Sequence, residues 1–150
     1  VADLNFELRS SVVHNNFFTF VQLLEQGANI NAYDNLYYMV EYYRYDMLKL
    51  VLSCAKELKI DVNTRIGQHT PFSLALFNKR LNMVRLFLAY AKSTKLDVNF
   101  LVSYSWLSPR GYKSYKKTPL DMAETLEKSG RNVKDIIEKL KALGAKHYGE

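Results

Sequence analysis

LKLVLSCAKELKIDVN at residues 48–63 and VRLFLAYAKSTKLDVN at residues 84–99 are one sixteen-residue pattern written twice, 36 positions apart. Eight of the sixteen positions are identical, among them Leu50/Leu86, Leu52/Leu88, Ala55/Ala91 and the closing Asp-Val-Asn. Lys49/Arg85 and Ile60/Leu96 are among the conservative replacements. A fixed period of this length marks a stack of repeats, because each unit is too small to bury its apolar face except against a neighbour. Such a stack points to binding rather than catalysis.

Working outward, the second copy opens on an amphipathic helix. Leu81, Val84, Leu88 and Ala91 recur every three or four residues, with Asn82, Arg85 and Lys92 between them. Thr70-Pro71-Phe72-Ser73-Leu74-Ala75 lies ahead of it. Thr suits a helix N-cap, and Pro at the first helical position gives up an amide that would lack a partner anyway. The spacing predicts a short helix over residues 70–79, a turn near Lys79-Arg80, the longer helix and an extended loop.

This unit resembles that of the ankyrin-repeat proteins, which opens Thr-Pro-Leu-His-x-Ala and closes in a Gly-Ala-Asp-Val-Asn type of turn. Residues 70–75 and Thr118-Pro119-Leu120-Asp121-Met122-Ala123 match the opening. Leu23-Leu24-Glu25-Gln26-Gly27-Ala28-Asn29-Ile30-Asn31 and Leu143-Gly144-Ala145-Lys146 match the close. The resemblance implies an all-α, ankyrin-repeat solenoid forming a single domain over 1–150. Its four helix–turn–helix units would lie at about 3–33, 34–66, 67–102 and 118–150, with one long hairpin or finger loop inserted at 103–117. Units two and three depart from the pattern by lacking Gly-Ala and carrying four extra residues, about one helical turn. A second helix lengthened by one turn is the expectation. Unit two shows Asp34-Asn35-Leu36 in place of Thr-Pro-Leu, which implies a stunted loop after Asn31.

Unit one (Leu8, Val12, Phe17, Phe20, Leu23, Leu24) reads as an N-terminal cap. The last helix sets Val133, Ile136, Ile137, Leu140 and Leu143 against Lys134, Asp135, Glu138, Lys139 and Lys141. That polar outer face suits a terminal repeat, with the stack ending near Glu150.

The chain is 48% hydrophobic and 24% charged, which suits one folded domain and argues against disorder. No apolar run approaches the roughly eighteen residues of a membrane span. The single Cys54 rules out an internal disulfide framework, fits a reducing, cytoplasmic type of compartment, and is expected to pack inward. An exported form whose leader preceded Val1 is also compatible. No phosphate-binding glycine loop or helical zinc pair occurs, and His14, His69 and His147 fall in different units. Asp61 and Asp97 belong to the repeat turn, and Asp121 replaces the usual His of the opening motif. No catalytic, cofactor-binding or metal site is expected.

Two segments exceed what a repeat scaffold needs. Asn99 to Thr118 spans nineteen positions against seven from Asn63 to Thr70. The longer stretch holds Tyr104, Trp106, Arg110, Tyr112, Lys113, Tyr115, Lys116 and Lys117 around Pro109-Arg110-Gly111. Residues 100–117 contribute four of the net +6 charges and no acid. Tyr, Trp and Arg dominate interface hot spots, although aromatics of this kind can also fold back on their own repeat.

The second segment is the cluster Tyr37, Tyr38, Tyr42, Tyr43 and Tyr45. Tyr43 and Tyr45 are expected to fill space beside the turn. Tyr42, with Phe77, Asn78, Val13 and His14, aligns with the family's exposed concave strip. The expected function is non-enzymatic protein–protein interaction by a monomer, through the concave face and the finger, with an acidic-surfaced protein as partner. The alternative is binding of a polyanion or nucleic acid by the basic aromatic loop; a small-molecule enzyme is a third, weaker option.

Overall fold

The computed structural model describes residues 3–150. In chain order these form α1 (Leu4–Val13), α2 (Phe17–Glu25), a 3-10 turn (Ala32–Asp34), α3 (Asn35–Glu41), α4 (Tyr45–Ser53) and α5 (Ala55–Leu58). They continue as α6 (Pro71–Phe77), α7 (Leu81–Ala89), α8 (Ala91–Thr94), β1 (Val102–Ser108), β2 (Gly111–Lys117), α9 (Pro119–Lys128) and α10 (Lys134–Ala142). Helices α1, α3, α6 and α9 lie side by side in one layer, and α2, α4, α7 and α10 form a second layer behind them. Among the described residues, no helix is long and apolar enough to cross a membrane.

The expected all-α solenoid is corrected by β1 and β2, which make the architecture mixed α/β. The segment expected as a finger loop is a regular antiparallel ribbon, paired without interruption from Val102↔Lys117 to Ser108↔Gly111. Val, Tyr and Trp at alternate positions suit extended backbone. Pro109-Arg110 makes the tight turn, and Gly111 takes φ +103, a conformation that side chains disfavour.

The core lies between the two helix layers. Leu8, Phe20, Met39, Leu48, Phe72, Phe87, Leu120 and Leu140 are all buried there, and burying each such side chain fully is worth about 1.5–3 kcal/mol. Phe72 of α6 meets Phe87 of α7 edge-on at 5.8 Å, locking one layer to the other within a unit. Both Thr-Pro openings act as read from the sequence. The Thr70 hydroxyl accepts from the Ser73 amide and the Thr118 hydroxyl from the Asp121 amide, and each third residue reaches back to its cap.

The predicted straight extension of the second helix does not form. The helix breaks at Cys54 and at Tyr90, and the extra residues make separate single turns, α5 and α8, that pack against each other. Each ends on a left-handed lysine, Lys59 (φ 52) or Lys95 (φ 55), where the end units use Gly27 and Gly144. The break leaves Cys54 half-buried rather than packed inward, beside Leu24 and Leu50 in a shallow groove between α2 and α4. The stunted connector after Asn31 is the 3-10 turn, with Tyr33 and Asp34 both left-handed.

Two side-chain ladders tie the units together. Asn31 Nδ2 donates to the Lys59 carbonyl and its Oδ1 accepts from the Asp61 amide, both at 2.9 Å. Asn63 repeats this with Lys95 (2.9 Å) and Asp97 (2.8 Å), and Asn99 with Gly144 (3.3 Å) and Lys146 (2.8 Å). Arginines do the same for helix C-termini. Arg44 donates to the Val12 and Val13 carbonyls of α1 at 2.8 and 2.7 Å, and Arg80 donates to the Glu41 carbonyl of α3 at 3.3 Å. A cation at a helix C-terminus also meets the negative end of the helix dipole.

Candidate interaction surface

The ribbon's register sorts its side chains into two faces. Val102, Tyr104 and Trp106 share one face with Lys113, Tyr115 and Lys117 opposite them. Ser103, Ser105 and Leu107 share the other with Tyr112, Ser114 and Lys116. At the root, the first face closes onto the helices. Val102 is fully buried, and Tyr104 packs against His69 (5.7 Å between ring centroids), Phe77 (6.1 Å) and Tyr115 (6.1 Å). Lys117 Nζ donates to Thr125 Oγ1 of α9, fastening β2 at its base. Burial, and for Tyr115 also the nearby Tyr104 and Asp121, raises the phenol pKa values of Tyr104 and Tyr115.

The tip stands clear of the helices. Trp106, Leu107 and Tyr112 are 49%, 72% and 80% exposed, and Arg110 and Lys113 are exposed without an ion pair among the described residues. Trp106 and Tyr112 therefore sit on opposite faces of one ribbon. Tyr104 and Tyr115, grouped with them by sequence, are half-buried anchors at the root.

His69, His14 and His147 play no joint role. His69 runs along α6 in register with Ser73 and Phe77. Its Nδ1 lies 2.9 Å from Ser73 Oγ and its ring 4.9 Å from that of Phe77. The residue is 5% exposed, Nε2 is buried without a hydrogen-bond partner among the described residues, and desolvation lowers the pKa. The ring, whose burial disfavours its charged form, forms the floor under Tyr104.

From Phe77 the exposed aromatic surface continues onto α3. Tyr42 caps the C-terminus of α3, stacked on Tyr38 at 5.9 Å, and Tyr38 meets Tyr37 edge-on at 5.4 Å. Tyr37 is close enough to Tyr104 that, after burial, Glu41 and Tyr38, it helps raise the Tyr37 pKa. The tyrosine cluster and the ribbon root, far apart in sequence, are neighbours in space. Cations dress the strip: Arg9 lies 4.3 Å over Tyr38, Arg44 5.6 Å over Tyr42 and Arg80 4.9 Å over Tyr43. Asn78 caps α6 and donates to Glu41 Oε2 at 3.4 Å, bridging two units along the strip. Tyr43 does not fill space as expected: it is exposed and left-handed (φ 57), whereas Tyr45 packs on the core.

Sequence reasoning singled out Tyr38 with its cluster but missed Arg9, His69, Arg44 and Arg80 as parts of this surface. Arg44 and Arg80 carried a signal, since each stands four residues ahead of a duplicated block and the two share its 36-residue spacing. No protein-family model matches the chain, and neither the curated proteins nor the solved structures provide a match.

Proposed function

We propose that this chain is a non-enzymatic protein-interaction module, akin to the ankyrin-repeat proteins. As a monomer it would hold an acidic-surfaced partner protein against the β1–β2 ribbon and the adjoining strip of α3 and α6. The observation that carries this reading is the ribbon tip. Trp106, Leu107 and Tyr112 stay exposed beside Arg110 and Lys113 on an element whose root is firmly packed. Large apolar side chains held out in water on a rigid support are what an interface anchor requires. Kinship is supported by the two Thr-Pro capping boxes and by the recurring Asn-bonded turn.

The test is affinity capture with wild-type protein beside Trp106→Ala and Tyr112→Ala. Discrete proteins retained by wild type and lost by the variants are the expected result. Capture unchanged by both variants overturns the reading. Salt-sensitive retention of a single-stranded oligonucleotide, lost with Arg110→Ala and Lys113→Ala, would favour the polyanion alternative.

A further inference from the structure

The geometry points to the outer edge of β1 as a strand-addition site, occupied by an extended acidic segment of the partner. This deepens the interaction reading above and rests on it.

A two-stranded ribbon has two free edges, and the two here are treated differently. β2 carries Lys113, Lys116 and Lys117, and its base lies against α9. Lysines along an edge are a standard guard against adventitious pairing. β1 reads Val-Ser-Tyr-Ser-Trp-Leu-Ser: no charge, no proline and no glycine in seven residues. Nothing in its sequence discourages a third strand.

Nor does the rest of the described chain occupy that edge. The sheet contains β1 and β2 alone. The connector between units two and three reaches the ribbon at its root, where His69 meets Tyr104 and Arg65 lies 5.9 Å from the Phe100 ring. That connector closes with one bridge, Ile66↔His69, and the connector between units one and two is the 3-10 turn. Beyond Tyr104, the backbone groups of β1 that point away from β2 have no strand beside them.

Charge selects the occupant. Residues 100–117 hold Arg110, Lys113, Lys116 and Lys117 and no acid. Lys113 and Lys117 share the Tyr104–Trp106 face, and Lys116 shares the Leu107–Tyr112 face. An extended segment with alternating acidic and apolar residues would pair its backbone with β1, rest its apolar side chains on Trp106 or Leu107, and meet a positive field on both faces.

The experiment titrates the whole 150-residue chain with a capped peptide of alternating Glu and Val, and with the same peptide N-methylated at alternate backbone amides. Affinity and amide hydrogen exchange are the readouts. The expected result is slowed exchange at the β1 amides that do not pair with β2, and an N-methylated peptide at least about tenfold weaker, as loss of backbone bonding requires. Equal binding of both peptides, or protection confined to β2, overturns strand addition while leaving an acidic partner held by side chains. Failure of both peptides to bind at low salt also overturns it. The tip variants then decide whether the broader interaction reading survives.

Discussion

His69 and His147 pull stability in opposite directions as pH changes. His69 is buried and its pKa is lowered by desolvation, so the folded state resists protonating it. Its contribution is intact above the free-imidazole value of about 6.5 and drains away as pH falls through the lower folded value. His147 is raised by its hydrogen bonds to Glu150 and Glu124, so its contribution is complete below about 6.5 and fades as pH rises through the higher folded value. In a His147→Gln background, acidification from neutral pH should lower the denaturant midpoint, and His69→Gln should flatten that slope. A slope unchanged by His69→Gln would mean the ring is not held neutral. The left-handed lysines offer a second residue-scale prediction. Side chains in that region cost about 1–2 kcal/mol, partly offset by the greater unfolded-state entropy of glycine. Lys59→Gly and Lys95→Gly should each raise stability by roughly 0.5–1 kcal/mol in chemical denaturation, giving these turns the residue type found at Gly27 and Gly144.

At the scale of elements, the ribbon divides into an anchor and a probe. Trp106→Ala and Tyr112→Ala remove exposed side chains and should leave unfolding within about 0.5 kcal/mol of wild type. Tyr104→Ala would open the contact over His69 and Phe77 and should cost about 1–3 kcal/mol, with faster amide exchange in β1. Equal losses from tip and root would make the whole ribbon structural. This division was only partly legible in the sequence. Length, aromatics and charge marked residues 103–117 as exceptional. Regular strand pairing depends on register, which follows from where Pro109-Arg110-Gly111 turns the chain, and only that register separates Trp106 from Tyr112. The kinks at Cys54 and Tyr90 were hidden for a related reason. Four extra residues fit one more helical turn by length alone, and only packing of α5 on α8 decides against a straight helix.

Across the whole molecule, the period was legible and the joints were not. The duplicated block revealed a stack because apolar spacing survives substitution. The Asn31, Asn63 and Asn99 bonds run 28 to 47 residues along the chain, to turns whose closeness exists only once the units have stacked. The same holds for the surface: Tyr104 of the ribbon packs on His69 and Phe77 of unit three, and Asn78 at the end of α6 reaches Glu41 of α3, only because the units lie side by side. In a stack, stability is close to a sum of unit terms and nearest-neighbour interface terms, so a mutation within a unit and one between units should fail differently. Leu88→Ala empties a buried position of α7 and should cost about 2–5 kcal/mol by weakening unit three itself. Asn63→Ala leaves both helical cores intact but removes two of the hydrogen bonds joining unit two to unit three, leaving those of Arg80 and Asn78 to Glu41 in place. It should cost about 1–2 kcal/mol, and hydrogen exchange should reveal units one and two opening separately from units three and four. If Asn63→Ala instead lowers protection evenly along the chain, the asparagine ladder is not the joint that couples the halves, and the packing of α3 on α6, α4 on α7 and α5 on α8, with the bonds to Glu41, carries that coupling.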